Sequence, residues 1–335
     1  MKSITIIIPN YNGLAFLPPC LAALKRQSCQ DFDLLVVDNG SDDGSRQWLE
    51  EHRVPSVFLP ENTGFSGAAN VGIRAAKTPY VILLNNDTKA GVHYVEHLLK
   101  AIQASPKIFS VSPKMVQMQD ESLVDDAGDM YSIMGWAYQR GVGQEAKRYN
   151  RPCHIFAACA GAAIYRRCVF DKIGLFDEMH FAYLEDIDVG YRAKIAGYFN
   201  LYCPKAVVRH VGSGTSGSKY NEFKVRLAAR NNVYLNYKNM PYWQLLANSL
   251  PIAAGLAVKY MFFRKMGLEK AFLSGFWEGV RTAGKAKKAA FPEARFSDYL
   301  AIQWELAYGA VLYVYEFSRR QIRKKREKAV DLREN

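Results

Sequence analysis

The apolar run Tyr80-Val-Ile-Leu-Leu84 stops abruptly at Asn85-Asn86-Asp87-Thr88. A carboxylate flanked by amides, at the carboxyl end of a buried strand, can hold a hard divalent cation against a substrate phosphate. Other runs end in comparable chemistry. The first leads into Pro9-Asn10-Tyr11-Asn12-Gly13, where Tyr11 can stack on a nucleobase. The second leads into Asp38-Asn39-Gly40-Ser41-Asp42-Asp43. A carboxylate at Asp38 can accept from the imide N–H of uracil or thymine, whereas Asp43 reads as a cap for the helix that follows. Asn62-Thr-Gly-Phe-Ser-Gly-Ala-Ala-Asn70 enters a helix, and Gly64 and Gly67 let a backbone approach a ligand closely. It is neither a Walker loop nor a dinucleotide fingerprint; the G-x-G-x-x-A match from Gly141 to Ala146 follows no strand.

Glu185-Asp186-Ile-Asp188 gathers three acids. Neighbouring carboxylates raise one another's pKa, which suits a general base. The same acids would also favour the first turn of a helix, and Asp188 with Arg192 makes an i,i+4 pair. His210, between a short strand and a Gly/Ser segment over 212–217, reads either as a metal ligand or as a structural histidine.

These residues need a scaffold that brings strand ends together. Strands are expected over 4–8, 34–37, 54–59 and 80–84, alternating with helices over 14–26, 44–51, 67–76 and 92–104. That order implies right-handed βαβ units and a mostly parallel sheet flanked by helices. Residues 115–153, rich in Gly, Asp and Gln, are expected as a long loop with one hairpin. Strands are expected again over 162–165, 200–203 and 206–209, with helices over 168–173 and 185–196, and a mostly helical chain from about 220. The apolar stretch 245–263 contains Asn248, Ser249, Pro251 and Lys259, so it reads as an interfacial or core helix rather than a span.

Net charge is +12, and residues 319–328 carry seven cations against one anion, a run suited to the phosphates of nucleic acid or of anionic lipid. No nucleic-acid-binding module accompanies it. Six irregularly spaced cysteines read as reduced thiols of a cytoplasmic protein, and no signal peptide is expected.

Taken in order, Pro-Asn-Tyr-Asn, Val-Val-Asp-Asn-Gly-Ser, Glu-Asn-x-Gly-Phe-x-x-x-x-Asn-x-Gly and Leu-Asn-Asn-Asp-Thr resemble the nucleotide-sugar half of glycosyltransferase family 2, the inverting GT-A enzymes. Phe176-Asp177-Glu178, Tyr183-Leu-Glu-Asp-Ile-Asp-Val-Gly-Tyr-Arg192 and Arg209-His210 extend the likeness to about residue 235, most closely to a rhamnosyltransferase-like branch. The resemblance implies a GT-A catalytic domain over 1–235, with a nucleotide-sugar half over 1–112 and an acceptor half over 113–235. Residues 236–335 would form a helical, basic, membrane-associating region.

The resemblance also implies a dTDP- or UDP-sugar donor held by Pro9, Tyr11, Asp38, Asn62, Gly64, Asn70 and Asn86, with Arg230 reaching the diphosphate or packing its helix. Asp87, joined by His210, would bind Mg²⁺ or Mn²⁺; many relatives have Asp-x-Asp where this chain has Asn85-Asn86-Asp87. Asp186 would be the base, with Glu185 beside it. A lipid-linked saccharide is the implied acceptor, one sugar being added per encounter, by an enzyme peripheral to the inner face of the plasma membrane. A non-catalytic sugar-nucleotide binder or a membrane interaction protein on the same fold is the competing expectation.

Overall fold

The computed structural model describes residues 2–212, 220–292 and 294–334, with side chains through residue 323. The first half alternates as its pattern requires: β1 (Ile4–Asn10), α1 (Leu17–Lys25), β2 (Phe32–Asp38), α2 (Ser45–Glu51), β3 (Ser56–Phe58), α3 (Gly64–Ala75), β4 (Tyr80–Leu83), β5 (Thr88–Ala90) and α4 (Tyr94–Gln103). β1 pairs in parallel with β2 and β4, and β2 with β3. Both faces of these strands are covered. Ile7 of β1 packs into one core with Val37 and Leu83, while Ile4, Ile6 and Ile8 pack into the other with Val36 and Ile82. Hence the strands read as unbroken apolar runs rather than alternating ones.

The middle of the chain departs from the expected loop. β6 (Ile108–Gln117), β7 (Val124–Asp126), β8 (Asp129–Tyr131), β9 (Ala137–Gln139) and β10 (Cys153–Ile155) run through it, and β8–β9 is the one hairpin of the expectation. β6 hides from pattern reading because serines and Lys114 interrupt a strand that is buried almost throughout. β11 (Ile164–Arg166), α5 (Arg167–Ile173) and α6 (Glu185–Ile195) follow as expected. The two short strands expected near 200–209 are one strand, β12 (Phe199–His210), interrupted by a register shift between Cys203 and Val207 opposite Pro113 and Lys114 of β6. A proline cannot donate to the ladder, and bulges absorb such positions.

The large sheet has the order β10-β12-β6-β11-β4-β1-β2-β3, with β5 against β12 and β7 against β6. It is parallel across β4-β1-β2-β3 and turns antiparallel at β11, between β4 and β6. This is the α/β, GT-A-like architecture implied above.

Helices α7 (Glu222–Asn239), α8 (Tyr242–Ala247), α9 (Ser249–Lys265), α10 (Glu269–Thr282) and α11 (Phe296–Glu334) complete the chain. The stretch over 245–263 breaks at Asn248, because that side chain and Gln244 hydrogen-bond to Gln303 of α11. Among the described residues no helix is long and apolar enough to cross a membrane.

Candidate active site

The carboxyl ends of β1, β2 and β4 meet in a chain of amides and one acid. Asn86 Nδ2 donates to Asn10 Oδ1 at 2.7 Å, and Asn10 Nδ2 donates to Asp38 Oδ2 at 3.0 Å. The Ser41 N–H donates to Asp38 Oδ1 at 3.1 Å. Gly13 is required beside this chain, since a Cβ there would lie 1.9 Å from Asn86 Nδ2. Both Asp38 oxygens are thus engaged within the protein and the residue is 1% exposed. Tyr11 stands 39% exposed just beyond Asn10, free to stack. Asp43 organises the turn before α2, accepting from the N–H groups of Ser45 and Leu14.

Asn39 links this corner to α3. Its Nδ2 donates to Asn62 Oδ1 at 3.0 Å and to the Gly64 carbonyl at 3.1 Å, and Asn62 Oδ1 also accepts from the Gly64 N–H. Gly64 has φ +75°, and a Cβ there would sit 2.3 Å from the carbonyl oxygen of Phe181. Further along α3, Asn70 Nδ2 donates to the Phe176 carbonyl and to Glu178 Oε1, while its Oδ1 accepts from the Phe176 N–H. Asn70 therefore ties α3 to the segment that approaches α6. Arg230 does the same from α7: its Nη2 donates to the carbonyls of Met179 and His180 at 3.0 and 3.1 Å, and Nη1 pairs with Glu278.

Asp87 follows Asn86 and is 6% exposed. His210, at the end of β12 and paired in register with Thr88, places Nε2 3.2 Å from Asp87 Oδ1. Its other nitrogen lies 2.8 Å from Asp125 Oδ2. Burial would lower the imidazole pKa, but the hydrogen bonds to Asp125 and Asp87 carry it up to about 10. As it stands the imidazole is protonated on both nitrogens, so a divalent ion would bind here by taking the place of the Nε2 proton. Two adjacent ligands at about 2.1 Å on an octahedral ion lie about 3 Å apart, the separation seen here, and a carboxylate on the second nitrogen is the usual orienting partner of a metal-bound histidine. Of the expected Gly/Ser segment after His210, residues 213–217 lie outside the described residues.

Asp126, next to Asp125, begins an acid cluster with the buried Asp129 and Glu185 and the half-buried Asp186. Burial first, then the charge on Asp125, pushes the Asp126 carboxyl up to about 7. Burial and the charges of Asp126 and Asp186 hold Asp129 well above its ordinary value. Asp186, at the start of α6, is raised by burial, although its Oδ1 accepts from the Ile187 N–H at 2.8 Å. Glu185 is raised further by burial and by Asp186, and its Oε2 has no partner among the described residues.

Asp188 is different. Arg192 Nη2 lies 2.8 Å and Lys238 Nζ 3.1 Å from its Oδ2, and Asn239 donates to Oδ1. It anchors α6 to α7. Among the described residues, two groups bring three metal-type donors within 4.8 Å: Asp126–Asp129–Cys159 and Asp177–His180–Asp188. In the second, Lys238 and Arg192 already stand where a cation would.

The site residues thus fall into a strand-end amide chain (Asn10, Asp38, Asn86), an Asp87–His210 pair, an acid cluster headed by Asp186, and clamps on the intervening segment from Asn70 and Arg230. Asp125, Asp126 and Asp129 escaped the sequence reading because they lay in the expected loop. The legible signal was three acids within five residues.

A family model for glycosyl transferase family 2 matches residues 5–174, just over half of the 335. The chain belongs to glycosyl transferase family 2. This family 2 enzyme is similar to N-acetylglucosaminyl-diphospho-decaprenol L-rhamnosyltransferase of Mycobacterium tuberculosis, with 27% identity over 288 residues, 76% of this chain and 92% of that one. Its fold is similar to that of S. aureus TarS 1–349 in complex with UDP-GlcNAc, with TM-score 0.55 and 14% identity over 98% of this chain and 92% of that one. It is also similar to GalNAc-T7 with UDP, GalNAc and Mn²⁺, with TM-score 0.58 and 17% identity over 70% of this chain and 48% of that one.

Proposed function

We propose that this glycosyltransferase moves one rhamnose, with inversion, from a dTDP- or UDP-sugar to a lipid-linked or polysaccharide acceptor in bacterial cell-surface glycan synthesis. The observation that carries the reading is the adjacency of the Asp87–His210 pair and the Asp186 cluster through neighbouring acids of β7, Asp125 and Asp126. The printed name of the mycobacterial relative supports rhamnose and a lipid-linked acceptor.

In this mechanism Tyr11 stacks on the base, and Asn10, Asp38 and Asn86 order the strand ends against the nucleotide. Asp87 and His210 would hold Mg²⁺ or Mn²⁺, which when bound offsets charge on the leaving diphosphate. Asp186 takes the proton of the acceptor hydroxyl as that oxygen attacks the anomeric carbon. Its raised pKa lets it hold that proton. Residues 1–112 serve the donor and 113–235 the acceptor; 236–335 associate with the inner face of the plasma membrane.

The test is transfer from dTDP-rhamnose set against UDP-GlcNAc, UDP-galactose and UDP-galactofuranose, with and without Mn²⁺. Asp186→Asn should abolish transfer yet leave nucleotide binding intact. An Asp186→Asn enzyme with wild-type turnover would remove the base assignment.

A further inference from the structure

Among the described residues, 24 large apolar side chains stand exposed, and 20 of them lie between positions 242 and 322. On α11 they form one stripe: Phe296, Leu300, Trp304, Tyr308, Val311 and Tyr315 recur every three or four residues. The opposite face of the same helix is already spent, with Ile302 and Leu306 buried and Gly309 so close that a Cβ would meet the Tyr131 carbonyl at 2.3 Å. α9 repeats the arrangement. Gly255 sits against Met134 and accepts from Trp136 Nε1, while Leu250, Val258 and Met261 point outward. Both helices are held on the β8–β9 hairpin, and Gln303 joins α11 to Asn248, so the two outward faces are neighbours.

The charge around this facet is sorted. Residues 236–335 hold 18 Lys and Arg against nine Asp and Glu, which gives +9 of the chain's +12. None of the described acids there is exposed: Glu316 is buried, Glu305 pairs with Lys194, and Glu278 pairs with Arg226 and Arg230. Arg264, Lys265, Lys270, Arg281 and Arg295, by contrast, face solvent.

We infer that the outward faces of α9 and α11 form one docking facet for an anionic lipid bilayer, lying in the plane of the interface with Arg264 and Lys265 at the end of α9 and Arg295 before α11 toward the headgroups. An apolar face rich in Trp and Tyr and rimmed by cations is the chemistry of interfacial helices. A second copy docked through this same facet would set cations against cations, since none of the described acids there is exposed. This rests on the proposed lipid-linked acceptor and gives that reading its surface.

The experiment is flotation of the full chain with vesicles of phosphatidylcholine alone, or of phosphatidylcholine with phosphatidylglycerol. Wild type should float with the anionic vesicles. The double substitution Leu250→Glu, Trp304→Glu, at side chains 81% and 74% exposed, should weaken binding about tenfold or more. Arg264→Gln with Lys265→Gln should weaken it in a salt-sensitive way. Wild type that ignores anionic vesicles would overturn the inference. So would a wild-type dimer in light scattering that the double substitution makes monomeric. Donor hydrolysis without vesicles reads the reaction separately: flotation without hydrolysis sinks the reaction and leaves the facet, and hydrolysis without flotation does the reverse.

Discussion

The segment that delivers Asp186 is held in an unfavourable backbone, and Asn231 is the residue that holds it. Phe181, Tyr183 and Leu184 have φ of 62°, 72° and 68°. Phe181, with ψ −63°, centres a γ-turn closed by the Ala182 N–H on the His180 carbonyl at 2.7 Å. Three non-glycine residues there cost about 1–2 kcal/mol each, or about 3–6 kcal/mol together. Asn231 is fully buried, and its Nδ2 donates to the carbonyls of His180, Ala182 and Tyr183 at 2.8, 2.9 and 2.8 Å. An amide NH2 has two hydrogens, so these three contacts share two donors; at about 1 kcal/mol per hydrogen bond the clamp contributes about 2 kcal/mol, a large part of the lower estimate of the strain it opposes.

Asn231→Ala should therefore let the turn relax and move Asp186. A shift of about 1 Å at a reacting group costs about 100-fold in rate. Steady-state kinetics with calorimetric nucleotide titration would read this as kcat down about 100-fold and nucleotide affinity changed by less than about threefold. Hydrogen exchange over 179–184 should rise. If kcat stays within about fivefold of wild type while exchange rises, the clamp matters for stability alone and the reasoning fails.

Asp125→Asn should loosen the Asp87–His210 pair and weaken Mn²⁺ affinity by about 10–100-fold, measured by titration with nucleotide present. Asp188→Asn should cost about 3–5 kcal/mol in denaturant unfolding, because Arg192 loses its buried counter-charge and Lys238 keeps only Asp177. Burial alone would raise the Asp188 carboxyl, yet Arg192 and Lys238 hold it well below the carboxylate range. Its contribution is therefore present above pH about 4 and lost as pH falls further, so acid unfolding of Asp188→Asn should be less steep. Asp126 has the opposite sign. Its folded value of about 7 exceeds the unfolded value, so the native state binds more protons and stability declines as pH rises between about 4 and 7. Asp126→Asn should raise Tm at about pH 8 relative to wild type and leave it little changed at about pH 5. An equal shift at both values would show that the carboxyl does not titrate in that window.

Local pattern alone determined the parallel half of the fold. Strands buried on both faces read as apolar runs, and the polar residues at their ends marked Tyr11, Asp38 and Asp87 as a group before any contact was known. The acids that open α6 were equally plain, since three carboxylates gathered in a helix's first turn stand out from the sequence around them. Tertiary structure decided which of these residues work together, because contacts between residues as far apart in the chain as His210 and Asp87 or Asn70 and Phe176 leave no local trace. It put His210 between Asp87 and Asp125, brought Asp126 and Asp129 behind Asp186, gave Asn70 the Phe176–Glu178 segment as its partner, and gave Arg230 and Asn231 the strained turn before α6. It also decided that the amides at Gln244, Asn248 and Gln303 face inward. That packing turns the last third of the chain into helices with one apolar face buried and another exposed, a division that composition cannot record.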